Sequence, residues 1–389
     1  MHNQDVCKIN SGYISDVNSE FDAATLNNYL TGGDRALVIQ GGGQRSIFTA
    51  GVLDAWMQSD FDPFNHFYGT SAGALNICAY LSRQQGLGKS FLMDLTTQKE
   101  FFNLIQYLRG NQGLGLKWII NKIQHEEPYL FDVEKARRNL GENRTAFAVV
   151  TNTNTLHDEY LPVLRDDWPL IMRATCAIPR VYDKEVIIDG QSYVDGGIAA
   201  AIPAQEAWRR GSRCIFVIRT EMKGIEDEVP DAASEREQQE SAWMDEMVHT
   251  IKQGWGKTVD DIKGNWNQFL ADMIDKARSQ TFEESNHQLL NGGRWMFGAK
   301  DIYRLSHLIG RPVDAGLTDL LMIHFQTYML TQTFIESPPD DCFIMQIRPD
   351  EPLRVSSLMS KKSDLQHDYE VGLRAGYRVV TEYRNLMSP

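Results

Sequence analysis

The sequence predicts an α/β fold with a mainly parallel central sheet covered by helices. Three observations carry this expectation. A short apolar run, Ala36 to Gln40, leads straight into three glycines; a second run, "NHFYGTS", ends at Ser71 and turns into the apolar stretch "AGALNICAYLSRQ"; and strand-like segments recur later as "TAFAVVTNTN" and "RCIFVIRT". Strand, helix, strand and helix within about 50 residues mark a parallel sheet with helices on its faces. With 389 residues and 42% hydrophobic content, the chain can bury a large core.

In chain order, residues 1–34 are polar and aperiodic and read as an N-terminal extension. A core domain is expected over 35–222. After the first strand, Ile47, Phe48, Val52, Leu53 and Trp56 fall at helical spacing on one face. Residues 91–130 read as amphipathic helix, with "FFNLIQYLRG" and "LKWIINKI" as its clearest parts. "EVIIDGQSYVDGG" reads as a hairpin turned by Asp189-Gly190, a favoured turn pair. The texture then changes. "KGIEDEVPDAASEREQQES" is charged and poor in large apolar residues, and beyond it Trp243, Met247, Ile251, Trp255, Ile262, Trp266, Phe269 and Met273 recur mostly at threes and fours. Residues 223–340 are therefore read as a mostly helical insertion or cap. Residues 341–389, with strand-like "CFIMQIRP" and helix-like "DLQHDYEVGLRAGYRVVTEYRN", are expected to return to the sheet.

A formal net charge of −13 without clustered Lys and Arg argues against a nucleic-acid partner. Five cysteines without CxxC pairing exclude a zinc-knuckle pattern and point to a reducing compartment. With no basic region followed by an apolar run at the N-terminus, and no stretch near 18 apolar residues, the expectation is a cytoplasmic protein without signal peptide or transmembrane helix.

The chemistry concentrates in three places. Gly69-Thr70-Ser71-Ala72-Gly73, between strand and helix, has the form of a nucleophile elbow: Ser71 sits on a strained turn, and glycines flank it because side chains there would collide with strand and helix. A serine hydroxyl needs a base. A histidine would make an α/β-hydrolase triad, but that fold threads several strands before its nucleophile and here only one precedes it. His249, His287, His307, His324 and His367 lie in or beyond the helical region and lack a local catalytic signature. Asp195, followed by Gly196 and Gly197 at the end of a strand, projects with little steric cover and can act as general base if partly desolvated. Asp189 is explained by its turn. The third place is Gly41-Gly42-Gly43 with Gln44 and Arg45, where backbone N–H groups at a helix start form an anion site suited to a tetrahedral oxygen. It lacks the third glycine of a Rossmann loop, where Ser46 stands, and the Gly-Lys-Ser/Thr of a P-loop.

Together and in this order, the glycine loop, the Gly-x-Ser-x-Gly pentapeptide and the Asp-Gly-Gly motif resemble the patatin-like phospholipase family. "RATCAIPRVY" resembles that family's block before the aspartate hairpin, and the C-terminal stretch from "DLLMIHFQTYML" onward resembles a bacterial subgroup. The resemblance implies a three-layer patatin-like fold and a Ser-Asp dyad without histidine: Ser71 as nucleophile, Asp195 as proton acceptor, Gly41 to Arg45 as oxyanion hole. It implies hydrolysis of acyl esters of phospholipids or related lipids through an acyl-enzyme, with no metal or other cofactor. Ser46 departs from the family, which has glycine at the end of the loop. Arg45 reads either as steering a phosphate or carboxylate or as a surface arginine near a helix start. The segment 225–335, with Trp243, Trp255, Trp266, Trp295 and Phe297, reads as a lid with peripheral membrane contact or as packed core. Three rival readings stay open: a Ser-His-Asp esterase, a non-catalytic lipid-binding or signalling module, and a nucleotide-binding regulator.

Overall fold

Among the described residues, eight strands form one sheet: β1 (Arg35–Ile39), β2 (His66–Thr70), β3 (Thr145–Asn152), β4 (Asp158–Pro162), β5 (Val186–Ile188), β6 (Gln191–Asp195), β7 (Cys214–Ile218) and β8 (Phe343–Ile347). The computed structural model describes residues 33–102, 113–179, 181, 182, 184, 186–222 and 315–387. Met1–Asp227 with Tyr328–Pro389 make one compact unit and Glu228–Thr327 another; the sheet and its cover belong to the first.

The strand order is β5-β6-β3-β2-β1-β7-β8, with β4 on β3. Strands β3, β2, β1, β7 and β8 run parallel, whereas β4, β5 and β6 join antiparallel. The parallel strands are near-continuous apolar runs because both faces are covered. Alternate residues serve the two layers: Leu37, Ile39, Phe67 and Phe216 pack with Phe48 and Trp56 on one face, and Ala36, Val38, Ile215 and Val217 pack with Ile202 and Ala207 on the other.

The helices of the described residues are α1 (Ile47–Gln58), α2 (Ala72–Leu81), α3 (Leu87–Ser90), α4 (Leu116–His125), α5 (Val133–Leu140), α6 (Trp168–Thr175), α7 (Gly197–Ala200), α8 (Ala204–Arg209), α9 (Ala315–Glu336) and α10 (Lys362–Met387). α1 shows more than the expected single apolar face: Ile47 to Trp56 are all buried. The second face is covered by α10, which crosses so closely that a Cβ at Gly372 would lie 2.1 Å from the Phe48 carbonyl oxygen, and one at Gly51 2.2 Å from that of Tyr369. Trp56 Nε1 donates to the Gly376 carbonyl at 3.2 Å across the same contact.

Other expectations are met unevenly. The hairpin β5–β6 turns at Asp189 and Gly190, both at positive φ. α4 buries Leu116, Ile119, Ile120 and Ile123, as its spacing predicts. The stretch read as helix around 101–110 begins instead with a turn at Phe101 and a bridge from Phe102 to Leu114. Between α3 and that turn, Phe91–Leu95 form a single π-helical turn. The N-terminal extension up to residue 32, residues 103–112, the charged segment, the Trp243 to Met273 stripe, Trp295, Phe297, His249, His287 and His307 lie outside the described residues. Among the described residues no helix is long and apolar enough to cross a membrane.

Candidate active site

Ser71 sits at the turn from β2 into α2 with φ 53° and ψ −126°, a strained conformation for a residue with a side chain. The flanking glycines let the turn close. A Cβ at Gly69 would lie 2.7 Å from the backbone of Ala74, and one at Gly73 2.8 Å from the Ile39 carbonyl oxygen. Thr70 is held from its hydroxyl to the Ala200 carbonyl at 2.9 Å, and Ala72 is buried at the start of α2.

The register of β3 brings the acid to this turn. One edge of β3 pairs with β2 up to Val149, opposite Thr70. The other edge carries β4. β2 ends there, and β6 takes over the vacated edge with Val150 opposite Asp195. Ser71, one residue past Thr70, thus comes beside Asp195, whose partner Val150 follows Val149 on β3, and the Ser71 hydroxyl donates to Asp195 Oδ2 at 2.9 Å. Asp195 Oδ1 accepts from the Gly197 N–H at 2.7 Å. Gly196 is pressed against β3, where a Cβ would meet the Val149 carbonyl oxygen at 2.2 Å. Both partners are nearly inaccessible, Ser71 8% and Asp195 5% exposed. Burial pushes the Asp195 carboxyl up to about 7, although the Gly197 N–H and the Ser71 hydroxyl pull the other way. Asp189 stands apart in its turn, paired with Arg165 at 2.8 Å.

The glycine loop lies beside this pair; a Cβ at Gly41 would be 3.4 Å from Ser71 Cβ. Its amides are not equivalent. The N–H of Gly41 donates to Ala201, that of Gln44 to Ser357 and that of Arg45 to Gly42. Those of Gly42 and Gly43 have no backbone acceptor among the described residues. The Arg45 side chain is mostly buried and points at Glu221, 3.7 Å away. Burial raises the Glu221 carboxyl, but Arg45, Arg219 and the Gln40 amide outweigh it and hold the group below its ordinary value. At Ser46 the backbone carbonyl accepts from Asn76 Nδ2 at 3.0 Å, while the buried hydroxyl has no partner among the described residues.

Residues 37–208 match the model of the family described as patatin-like phospholipase. The protein YjjU of Escherichia coli (strain K12), described as uncharacterized, is 30% identical over 341 residues, covering 88% of this chain and 75% of YjjU. The chain belongs to the patatin-like phospholipase family. Residues 314–388 match a second model, a domain of unknown function (DUF6363). Among solved structures, VipD from Legionella pneumophila aligns at 10% identity with a TM-score of 0.36, over 90% of this chain and 67% of VipD.

In this patatin-like chain one contributor escaped the sequence reading. The Thr175 hydroxyl accepts the Ser71 N–H at 2.9 Å and donates to the Val149 carbonyl, tying the elbow to β3. It lies inside "RATCAIPRVY", but nothing in a lone threonine there signals the contact. Its neighbour Cys176 stands beside the Ser71 hydroxyl, and burial pushes its thiol far up. No described histidine hydrogen-bonds Ser71 or Asp195: His66 engages Thr145 and Asp34, and His367 engages Asp368. Nor do the described residues group three His, Cys, Asp or Glu side chains as a metal site. A small apolar cavity of about 20 Å³ lies along α2, with Ala72, Leu75, Phe91, Leu92 and Trp168 in its wall.

Proposed function

We propose that the protein is a serine lipid acyl hydrolase, a phospholipase or carboxylesterase working through a Ser71-Asp195 dyad. The observation that carries this reading is the 2.9 Å hydrogen bond from the Ser71 hydroxyl to a buried carboxylate. A carboxyl group near 7 is a better base than an exposed one and is still ionised in a useful fraction at neutral pH. In the first half-reaction Ser71 Oγ bonds to the ester carbonyl carbon and its proton passes to Asp195. The carbonyl electron pair moves onto oxygen, where the Gly42 and Gly43 amides receive it. Collapse expels the alcohol, which takes the proton from Asp195. Water then repeats the sequence on the acyl-enzyme, and the acid product leaves with Ser71 restored.

Family membership supports a lipid acyl ester as substrate, and the apolar wall beginning at Ala72 suits the first carbons of an acyl chain. Core residues 35–222 would carry the reaction, in a cytoplasmic protein that meets its lipid at a membrane surface. Labelling with a fluorophosphonate tests the dyad. Wild type should react, Ser71→Ala should not, Asp195→Asn should slow by about 10³-fold or more, and His367→Ala should be unchanged. Labelling that survives Ser71→Ala sinks the proposal. Release of fatty acid from phosphatidylcholine vesicles, set against hydrolysis of p-nitrophenyl butyrate, distinguishes lipase from simple esterase.

A further inference from the structure

We propose that the segment 355–360, within the part of the chain matching a domain of unknown function, positions the glycine loop of the active site through Gln44. The inference rests on the hydrolase reading above.

Gln44 is 1% exposed and is gripped from three sides. Its N–H donates to the Ser357 carbonyl at 2.8 Å, its Oε1 accepts from the Ser360 N–H at 2.8 Å, and its Nε2 donates to Thr96 Oγ1 at 2.8 Å. Two of these bonds come from the C-terminal segment. That segment also lies directly on the loop: Gly43 is at φ 55°, and a Cβ there would be 2.3 Å from the Ser357 carbonyl oxygen. The segment is itself tied down. The Val355 N–H donates to Asp368 Oδ2 at 3.0 Å, with Asp368 fully buried on α10, and the Ser356 N–H donates to Ser360 Oγ at 3.0 Å. α10 in turn crosses α1 at Gly51 and Gly372.

The physical need is plain. Three successive glycines have wide conformational freedom, yet donors to a tetrahedral oxygen act only when held in place before the charge develops. β1 holds one end of the loop. At the other end Gln44 adjoins Gly43, so the Ser357 and Ser360 backbone groups set where the Gly42 and Gly43 amides point. The C-terminal region is then part of the catalytic apparatus, through positioning rather than through contact with substrate.

Steady-state hydrolysis of p-nitrophenyl butyrate by the full chain tests this, with Ser71→Ala as control. Gln44→Met keeps the length of the side chain and removes its hydrogen bonds to Thr96 and Ser360. It should lower kcat about tenfold or more with KM within about twofold, and with an unfolding midpoint near that of wild type. Thr96→Val, which leaves both C-terminal bonds, should lose less. If Gln44→Met does not fold, Ser360→Ala takes its place: it loosens the turn that presents the Ser360 N–H, and should lower kcat severalfold. A kcat equal to wild type in the folded variant overturns this inference alone. A wild type no faster than Ser71→Ala overturns the hydrolase reading and this inference with it.

Discussion

Asp195 shows how one residue's environment sets the pH dependence of stability and, in the proposed mechanism, its strength as a base. Its carboxyl titrates near 7 in the folded chain against an ordinary value of 3.8. The folded state therefore binds more protons than the unfolded state between those limits. The stabilisation from the protonated acid is complete below about pH 4 and is lost as pH rises through about 7. Asp195→Asn removes that dependence. The variant should match wild type in stability near pH 4 and exceed it by up to ~4 kcal/mol at pH 8, with urea unfolding at the two pH values as the measurement. An equal difference at both would mean that the carboxyl is not perturbed by burial. The residue pair was legible because glycine requirements surround it. Gly69, Gly73 and Gly196 each stand where a Cβ would strike backbone, so the glycine pattern recorded the close approaches. Thr175 was not legible: it acts through one hydroxyl on a distant amide, and no local pattern encodes such a partner.

At the scale of elements, the strands that read most clearly were the apolar runs of the parallel sheet, whose two covered faces demand continuous hydrophobicity. β4, "DEYLP", carries little pattern, because it is an edge strand with mostly half-buried residues. The spacing of α1 predicts one buried face, and the arrival of α10 buries the other. That crossing is sensitive to size. Gly372→Val would drive methyl groups into the Phe48 carbonyl and should lower the free energy of unfolding by about 3 kcal/mol, read from urea titration. A loss within about 0.5 kcal/mol would show that the helices can part without consequence.

For the molecule as a whole, the match to the patatin-like model ends at residue 208, yet the sheet does not. β8 pairs with β7 along its full length, from Cys214 opposite Phe343 to Ile218 opposite Ile347, and α10 covers α1. A chain cut after Ser337 would expose the β7 edge and the faces of Trp56 and Phe48, and should fail to give a cooperative thermal transition by calorimetry. A truncated chain that melts cooperatively near the wild-type midpoint would show that the tail is dispensable.

The sequence by itself determined the α/β class, the order of most elements and the glycine-flanked turn at Ser71, and it singled out Asp195 as a candidate, because hydrophobic period and glycine placement are local signals. Only the tertiary structure decided that β6 continues along the edge of β3 where β2 stops, setting Thr70 and Asp195 opposite the neighbouring residues Val149 and Val150. It also decided that Ser357 and Ser360 grip Gln44. The reason is common to both: β6, Ser357 and Ser360 make these contacts through backbone N–H and C=O groups, which every residue but proline carries alike, so their side chains hold no record of which distant strand or loop they will meet.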